Sequence, residues 1–437
     1  MSFQIENGVL KKYTAEPGVT RVEIPEGVTE IACLAFPDWK EVKELILPDS
    51  MTELKGQALC GCNALAHLHL SAGVTQIDLF RFNTLRSLEE ITVSENNSCF
   101  CSLDGVLYTK DMKTLVLCPL CKSSITIPES ITCIGEYALA GCFQITEIRF
   151  PAHLTAIKSH AFYGCGIREA IIPESVNNIE TGAFYYCRDL SIIKLPDGIT
   201  EIAGSAFDGC RDLTEISIPD SVTKIGSDAF DSCRKLSSVS IPDSVSSIGS
   251  NAFRLCEGLT NVILPDRITE IADNTFFGCS ALRCITIPES VQRIGSSALG
   301  CCNALSVIKL HPDDPEMVRD YRSIRYLEEA IQTGSRILQT GDTGITLDHK
   351  IKYTFIVLHY LRTKDSRFKL YIQKNFQKIM KKCIACGDTD VIRAFAETDD
   401  FITGSCIDKY IQRALDSNQQ EIYDILTAYS LRVKNDI

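Results

Sequence analysis

Four cysteines between positions 99 and 121 have a spacing that could bind a metal ion. Cys99 and Cys101 form a CxC pair. Cys118 and Cys121 form a CPLC pair after a further sixteen residues. Two closely spaced pairs of thiolates can supply the four sulfur ligands of a structural zinc site. Zinc in this segment is therefore one hypothesis, although most of the 21 cysteines lie elsewhere.

The position of one turn decides whether these four thiols can meet. If the segment reverses at residues 110–113, its antiparallel legs bring the two cysteine pairs together. If it reverses at Asp104 and Gly105 instead, Cys101 is carried away and no four-ligand site forms. Because cysteine is common throughout this chain, we predict no metal site and no other cofactor.

Other residues with chemical potential are scattered. Cys383 and Cys386 form a CxxC late in a predicted helix. No thioredoxin-like strand pattern surrounds this pair, so we interpret it as part of a core. His67 and His69 lie two residues apart on a predicted strand, which puts both side chains on one outer face. We interpret the two histidines as ordinary polar surface residues.

Signatures of the common enzyme classes are absent from the sequence. The chain has no GxSxG, no Walker GxxxxGK, no HExxH and no GxGxxG at a strand-to-helix turn. No two groups with complementary acid–base or nucleophilic roles converge in sequence. We therefore predict that the protein is not an enzyme and has no small-molecule substrate.

A basic and aromatic stretch at 350–382 indicates one alternative function. It has ten lysines and arginines against one acidic residue, Asp365. Basic residues interleaved with aromatic rings occur in proteins that bind nucleic acid. We favour two amphipathic helices with inward rings and a solvated basic face, and nucleic-acid association is the alternative. The aromatic residues are Tyr353, Phe355, Tyr360, Phe368, Tyr371 and Phe376.

Most of the chain before residue 312 is built from one repeated segment. In the copy LTEISIPDSVTKIGSDAFDSC, from Leu213 to Cys233, apolar residues first alternate as in a strand. Val222 and Ile225 mark a second extended piece, and the last apolar residues have helical spacing. One repeat thus predicts a strand, a corner, a short strand and one or two helical turns. Prolines recur at 128, 151, 173, 196, 219, 242, 265 and 288, and cysteines at 142, 165, 187, 210, 233, 256, 279 and 302.

The repeat resembles the BspA-like class of bacterial and protist leucine-rich repeats, whose units read LxxIxIPxSVTxIGxxAFxxC. The segments IPDSVTKIGSDAFDSC and IPDSVSSIGSNAFRLC match this pattern almost position for position. The likeness covers roughly residues 19–310. It implies an α/β repeat solenoid, a right-handed leucine-rich-repeat superhelix with a parallel concave β-sheet. It also implies a binding role, and it supplies no catalytic residues.

The pattern divides the chain into three parts. Residues 1–18 predict an N-terminal β-hairpin cap around Asn7 and Gly8. Residues 19–312 predict the solenoid, with thirteen strands and an inserted hairpin at about 94–124. Residues 313–437 predict an all-α domain whose last pieces weakly resemble ankyrin-type repeats. Its predicted helices are 316–333, 347–363, 367–386, 388–397, 404–417 and 419–433.

Composition and charge favour a reducing compartment. The sequence shows neither a secretory signal at its start nor an apolar run near 18 residues, so we expect no export signal and no membrane insertion. Thiols stacked one strand apart would invite mispairing in an oxidising compartment. We therefore expect a cytoplasmic protein with buried, unpaired cysteines. The net charge of −12 lies in the solenoid.

The strand residues between the buried ones are predicted to face the open, concave side of the sheet. They vary from coil to coil, so they are free to specify a partner. Exposed apolar residues among polar ones often anchor interfaces. Four of these positions are apolar, namely Ile171, Ile192, Ile263 and Val307. The candidate partner-binding residues are Glu147, Arg149, Glu169, Ile171, Ile192, Lys194, Glu215, Ser217, Ser238, Ser240, Asn261, Ile263, Thr286, Val307 and Lys309.

These observations predict a non-catalytic protein that binds another protein on the concave face of the solenoid. The first alternative is a surface adhesin that binds host or extracellular proteins after export by another route. The free thiols and the missing signal argue against it. The second alternative is a nucleic-acid-associated protein that uses the basic helices at 350–382.

Overall fold

The computed structural model describes two separate compact units. It describes residues 2–309 apart from positions 38, 81, 289, 292 and 306, and then residues 357, 360, 366–398, 401–402 and 404–435. The first unit comprises residues 1–290 and 295–317, and the second comprises residues 291–294 and 318–437.

The described first strands of the coils pair in parallel in four sheets of two to four strands, which together we call the first column. Paired residues lie 23 positions apart, as in Glu215↔Ser238 and Ile216↔Val239. This spacing equals the repeat length, so each residue type stacks on the equivalent position of the next coil. The described strands are Arg21–Glu23, Glu44–Ile46, His67–Leu70, Glu90–Val93, Glu169–Ile171, Ile192–Lys194, Glu215–Ser217, Ser238–Ser240, Asn261–Ile263, Cys284–Thr286 and Val307–Lys309.

A second column of two-residue strands follows the proline corner, as the spacing of Val222 and Ile225 predicts. Its pairs are also parallel and one repeat apart, as in Ile225↔Ile248. The isoleucine or leucine of most of these strands is buried. The described strands are Glu30–Ile31, Glu53–Leu54, Gln76–Ile77, Cys133–Ile134, Ala156–Ile157, Asn178–Ile179, Glu201–Ile202, Lys224–Ile225, Ser247–Ile248, Glu270–Ile271 and Arg293–Ile294.

Two antiparallel hairpins pair with strands of the second column. At the N-terminus, Ser2–Glu6 pairs with Val9–Thr14, and Val9–Thr14 then pairs in parallel with Glu30–Ile31. In the insertion, Phe100–Leu103, Val106–Thr109 and Thr114–Leu117 form an antiparallel meander. Its last strand pairs in parallel with Cys133–Ile134.

The insertion changes the first column around it. The predicted strands that end at Ile127 and Phe150 do not form, because residues 122–127 and 145–150 are without strand pairing. The amide of Ile91 donates instead to the carbonyl of Gly105, at 2.9 Å. The hairpin therefore takes up hydrogen bonds that the following coil would otherwise receive, and eleven of the thirteen predicted strands are present.

The segment before each repeated cysteine is a series of turns, and the prediction of helical turns is wrong there. Asp228 and Ser232 have φ angles of 57° and 59°, which interrupt a right-handed helix. The amide of Phe230 donates to Ala252 O of the next coil, at 2.8 Å. Such bonds alternate with local ones and form a third column between coils. In one coil the corresponding segment contains the 3-10 turn Phe82–Thr84.

Phenylalanine rings and thiols stack inside the solenoid. Adjacent rings of the phenylalanine column have centroids 5.0–5.5 Å apart and lie within 13° of parallel. The Cys233 thiol donates to the carbonyl of Phe207, at 3.1 Å, and other repeated cysteines do the same one coil on. Both columns are buried. The stacked rings are Phe162, Phe184, Phe207, Phe230, Phe253 and Phe276.

The second unit is helical, which completes the predicted fold class of a leucine-rich-repeat solenoid followed by a helical region. Val357 and Tyr360 are also in helical conformation. The rest of the predicted helix 347–363 and all of 316–333 lie outside the described residues. No helix in the described part of the chain is long and apolar enough to cross a membrane. The helices are α1 (Ser366–Cys386), α2 (Thr389–Thr398), α3 (Gly404–Asp416) and α4 (Gln420–Asn435).

Candidate functional site

The outward side chains of the first column form two rows, which we call the strand face. In the strand Glu215–Ser217, Ile216 is buried and its two neighbours are exposed, because successive side chains of a strand point to opposite sides. The register aligns the first residues of neighbouring strands in one row and the third residues in another. The exposed residues of the first row are Glu169, Ile192, Glu215, Ser238 and Asn261, and those of the second are Ile171, Lys194, Ser217, Ser240 and Ile263.

The remaining predicted partner-binding residues differ from this arrangement. Glu147 and Arg149 are exposed, but they lie where no strand forms. Thr286 was expected to be exposed, yet only 5% of it is accessible. Its short side chain lies beside the larger Ile263, its partner in the register of the preceding strand. The backbone of Val307–Lys309 is a strand, whereas the side chains of Val307 and Lys309 lie outside the described residues.

Three isoleucines of the strand face are exposed to a similar degree. The accessible fractions are 57% for Ile171, 54% for Ile192 and 61% for Ile263. Ile192 pairs with Glu169, and Lys194 pairs with Ile171. Ile171 and Ile192 are therefore diagonal neighbours on adjacent strands, within reach of one another's side chains. They form a small apolar patch with one carboxylate and one ammonium group beside it.

The N-terminal strands carry a run of alternating charges that the sequence analysis missed. The register places Arg21, Glu44, His67 and Glu90 in one row. Arg21 Nη1 lies 3.6 Å from Glu44 Oε1, and His67 Nδ1 lies 3.6 Å from Glu90 Oε2. His69 contacts Thr92 Oγ1 at 2.9 Å. The 23-residue spacing of these basic and acidic residues was the sequence signal that could have revealed the row, and solvent screens such exposed pairs.

The structure does not bring together the four cysteines of the insertion. The chain reverses at Asp104 and Gly105, which have φ angles of 50° and 75°, and again after Thr109. Cys101 Sγ donates to Thr109 O, whereas Cys121 Sγ donates to Arg86 O. Within the described ranges, no group of three or more histidine, cysteine, aspartate or glutamate side chains is arranged to hold a metal ion.

The thiols of the solenoid core have the properties of buried apolar groups. Burial raises the pKa of Cys165 to about 12 and that of Cys187 well above its usual range. The thiolate, which is the reactive form, is therefore suppressed. Cys383 in the second unit is also fully buried, whereas the side chain of Cys386 lies outside the described residues.

Three aspartates gather on the turn segments, and sequence reasoning missed them as well. Asp231 accepts from Arg254 Nη1 at 2.8 Å, and Asp228 accepts from Asn251 at 3.0 Å. Burial, followed by the charges of Asp231 and Asp228, raises the pKa of Asp208 to about 7. The motifs AFDGC and AFDSC could have revealed that Asp208 and Asp231 lie close together, because equivalent residues of successive coils stack.

Replacing Asp208 with asparagine should flatten the pH dependence of folding. The pKa of Asp208 is about 7 in the folded state against an ordinary 3.8, so the folded protein binds the extra proton between about pH 4 and 7. Its contribution is fully present below about pH 4 and is lost as pH rises through 7. In urea unfolding, we expect Asp208→Asn to be more stable than the wild type at about pH 8. If the free energy of unfolding of the variant depended on pH as steeply as that of the wild type, the raised pKa of Asp208 would be contradicted. The control is Asp220→Asn at an exposed position.

The basic stretch of the second unit directs its described aromatic rings inward. Tyr360 is 2% exposed, and Lys369 Nζ lies 5.9 Å from its ring centroid. Phe376 packs against Phe395 and Phe401. The Tyr360 ring is therefore unavailable for stacking on bases, and the Phe376 ring is half-buried against the same core. Tyr353 and Phe355, together with the side chains of Phe368 and Tyr371, lie outside the described residues.

Comparisons with known proteins agree with the repeat architecture. The family profile for the BspA type leucine rich repeat region matches in six copies, over residues 11–104, 117–237 and 223–320. These segments amount to more than half of the chain. A comparison with curated proteins finds no match.

Several solved leucine-rich repeat structures are similar to this chain. One from Eubacterium ventriosum has 18% identity and a TM-score of 0.48, and the alignment covers 70% of this chain and 90% of that one. One from Bacteroides ovatus has 22% identity, a TM-score of 0.37, and coverage of 70% and 79%. The T. pallidum leucine-rich repeat protein has 32% identity, a TM-score of 0.36, and coverage of 47% and 86%.

Proposed function

Because the chain belongs to the BspA type leucine-rich repeat family, we propose that it is a non-catalytic protein that binds another protein through the strand face. The observation that carries this proposal is the division of labour within each strand. The middle residue of the strand is buried in most coils, while the residues on either side are exposed and differ from coil to coil. Coil stacking requires only the buried set, so the exposed set is available for a partner.

The Ile171–Ile192 patch is the proposed anchor of this contact. Interfaces place a few apolar anchors at the centre and polar residues at the rim. Glu169 and Lys194 lie directly beside the two isoleucines in the strand register. The neighbouring coils carry Glu215 and the serines of the two rows. The partner surface should therefore present an apolar patch bordered by polar groups.

Changing Ile171 and Ile192 together to aspartate should abolish partner binding without affecting folding. Each isoleucine is more than half exposed, so aspartate meets water in the free protein but loses its hydration in the complex. Loss of two anchors at about 2 kcal/mol each weakens binding by about three orders of magnitude. The partner is first captured by the wild-type protein and identified by mass spectrometry, and its affinity is then measured in purified form.

The control variant for this experiment adds the same charge elsewhere. Ser246→Asp with Ser247→Asp places two aspartates at exposed positions, one in the second-column strand Ser247–Ile248 and one just before it. This variant should bind the partner as the wild type does. A matching fall in the melting temperature of the isoleucine variant would show that these residues are structural. Unchanged affinity at an unchanged melting temperature would place the contact elsewhere.

We extend the proposal to a reducing compartment, the cytoplasm. Its support is the column of thiols that each donate to a carbonyl of the preceding coil, together with exposed Cys33 and Cys301. Cell fractionation should recover the protein with cytoplasmic markers. Recovery at the outer cell surface would favour the adhesin function instead.

A further inference from the structure

A pocket of about 450 Å³ opens among the turn segments on either side of Cys165. It lies away from the strand face, on the segments that precede and follow the repeated cysteines. Three aromatic residues and two arginines line it. Pockets of 300–1,000 Å³ are the usual size for small ligands or single side chains. These residues are Arg86, Phe143, Tyr163, Tyr186 and Arg188.

The pocket exists because one coil is a residue short. Successive repeated cysteines are 23 residues apart, but Cys165 and Cys187 are only 22 apart. The missing residue is beside Gly166, where a side chain would overlap the backbone of Phe143. Gly164 faces open space, since a Cβ there would meet nothing within 4 Å. The bottom of the pocket is therefore formed by backbone atoms, and no side chain fills it.

The walls combine aromatic faces with positive charge. Phe143 is 59% exposed. The guanidinium of Arg188 lies over the Tyr186 ring, 5.4 Å from its centroid, which orients its N–H groups. Among the residues that the structure describes, no carboxylate lies within ion-pair distance of Arg86 or Arg188. Asp189 also lines the pocket, so the lining carries a net positive charge in a chain of net charge −12.

We propose that this pocket binds an aromatic ring that carries a phosphate group. The ring would stack on Phe143 and the tyrosines, and the dianion would accept from Arg86 and Arg188, since guanidinium groups bind phosphate through paired hydrogen bonds. The ligand is either the phosphotyrosine side chain of a protein or a free aryl phosphate. Both share the chemistry that the pocket recognises.

Calorimetric titration of the full chain tests the proposal with phenyl phosphate, inorganic phosphate and phenol as separate probes. Phenyl phosphate should bind at least about tenfold more tightly than either fragment, because it engages both the rings and the guanidinium groups. Its affinity should fall as salt is raised. A phosphotyrosine peptide that binds more tightly than phenyl phosphate identifies a protein ligand, and equal affinities identify a free aryl phosphate. Equal affinity for phenyl phosphate and inorganic phosphate, or no binding of phenyl phosphate, overturns the proposal.

Two variants locate the binding site, and a third is their control. Gly164→Leu fills the hollow, and the left-handed backbone accepts it because Leu255 and Tyr186 hold the equivalent position with φ angles of 55° and 60°. Arg188→Met removes one guanidinium. Both should weaken phenyl phosphate binding by about tenfold or more. Arg211→Met changes the same repeat position one coil on and should leave the affinity unchanged. Equal effects at Arg188 and Arg211, or none with Gly164→Leu, would contradict the site.

Discussion

Replacing Gly226 with valine is expected to destabilise the solenoid by about 3 kcal/mol, the upper end of the usual cost of overpacking. A Cβ at this position would lie 2.5 Å from the backbone nitrogen of Gly204 on the preceding coil. The Gly226 amide also donates to Ile202 O at 2.8 Å, so the two coils cannot separate without losing a hydrogen bond. Urea unfolding followed by circular dichroism measures the loss.

The matched control is Gly198→Ser in the same solenoid. A Cβ there would lie 3.4 Å from Val176 O, which is an ordinary contact. Serines at the equivalent position of other coils donate to a carbonyl of the preceding coil, as Ser221 does to Ile199 O at 2.6 Å. We expect this variant to be as stable as the wild type or more stable by about 0.5 kcal/mol. Equal loss in both glycine variants would contradict close nesting at Gly226.

Phe230→Ala should cost about 4 kcal/mol, within the range for truncating a buried phenylalanine. The ring is fully buried and lies between Phe207 and Phe253, with centroid distances of 5.5 and 5.3 Å. Its removal leaves a cavity in the middle of the column and breaks two ring contacts. Because each coil contacts only its neighbours, the loss should concentrate in coils beside residue 230.

Chemical denaturation and amide hydrogen exchange together check this expectation. Exchange should increase first in the strands Glu215–Ser217 and Ser238–Ser240. Phe143→Ala is the control of the same residue type, because Phe143 is 59% exposed, and its effect on stability should stay within about 0.5 kcal/mol. A loss of similar size at both positions would show that the phenylalanine column does not carry the core.

Much of the solenoid could be predicted because its determinants are periodic. Three features recur at a fixed spacing: the strand alternation around Ile216, the second extended piece at Ile225 and the inward Cys233. Each repeat therefore supports the same local structure. The turn segment was mispredicted as helical because Ala229, Phe230 and Cys233 have helical spacing. That spacing does not predict that the amides of Asp228 and Phe230 donate to carbonyls of the next coil.

The features that escaped prediction depend on contacts between coils. The missing strand that ends at Ile127 follows from the hairpin, because Gly105 O accepts the hydrogen bond of the Ile91 amide. The burial of Thr286 depends on a residue of another coil, the larger Ile263, which lies 23 positions earlier in the chain. The 22-residue step at Cys165 was visible in the sequence, but the pocket beside it required the positions of Phe143 and Tyr186, which lie on different coils.

Site-specific photocrosslinking tests the proposed role of the strand face most directly. A photoreactive phenylalanine derivative is placed at Ser217 on the strand face, and in a second protein at Lys235, which is exposed on the turn segments. Both proteins are irradiated with the captured partner. Partner binding through the strand face predicts a crosslinked complex from position 217 and none from position 235, whereas a crosslink from 235 alone would contradict it.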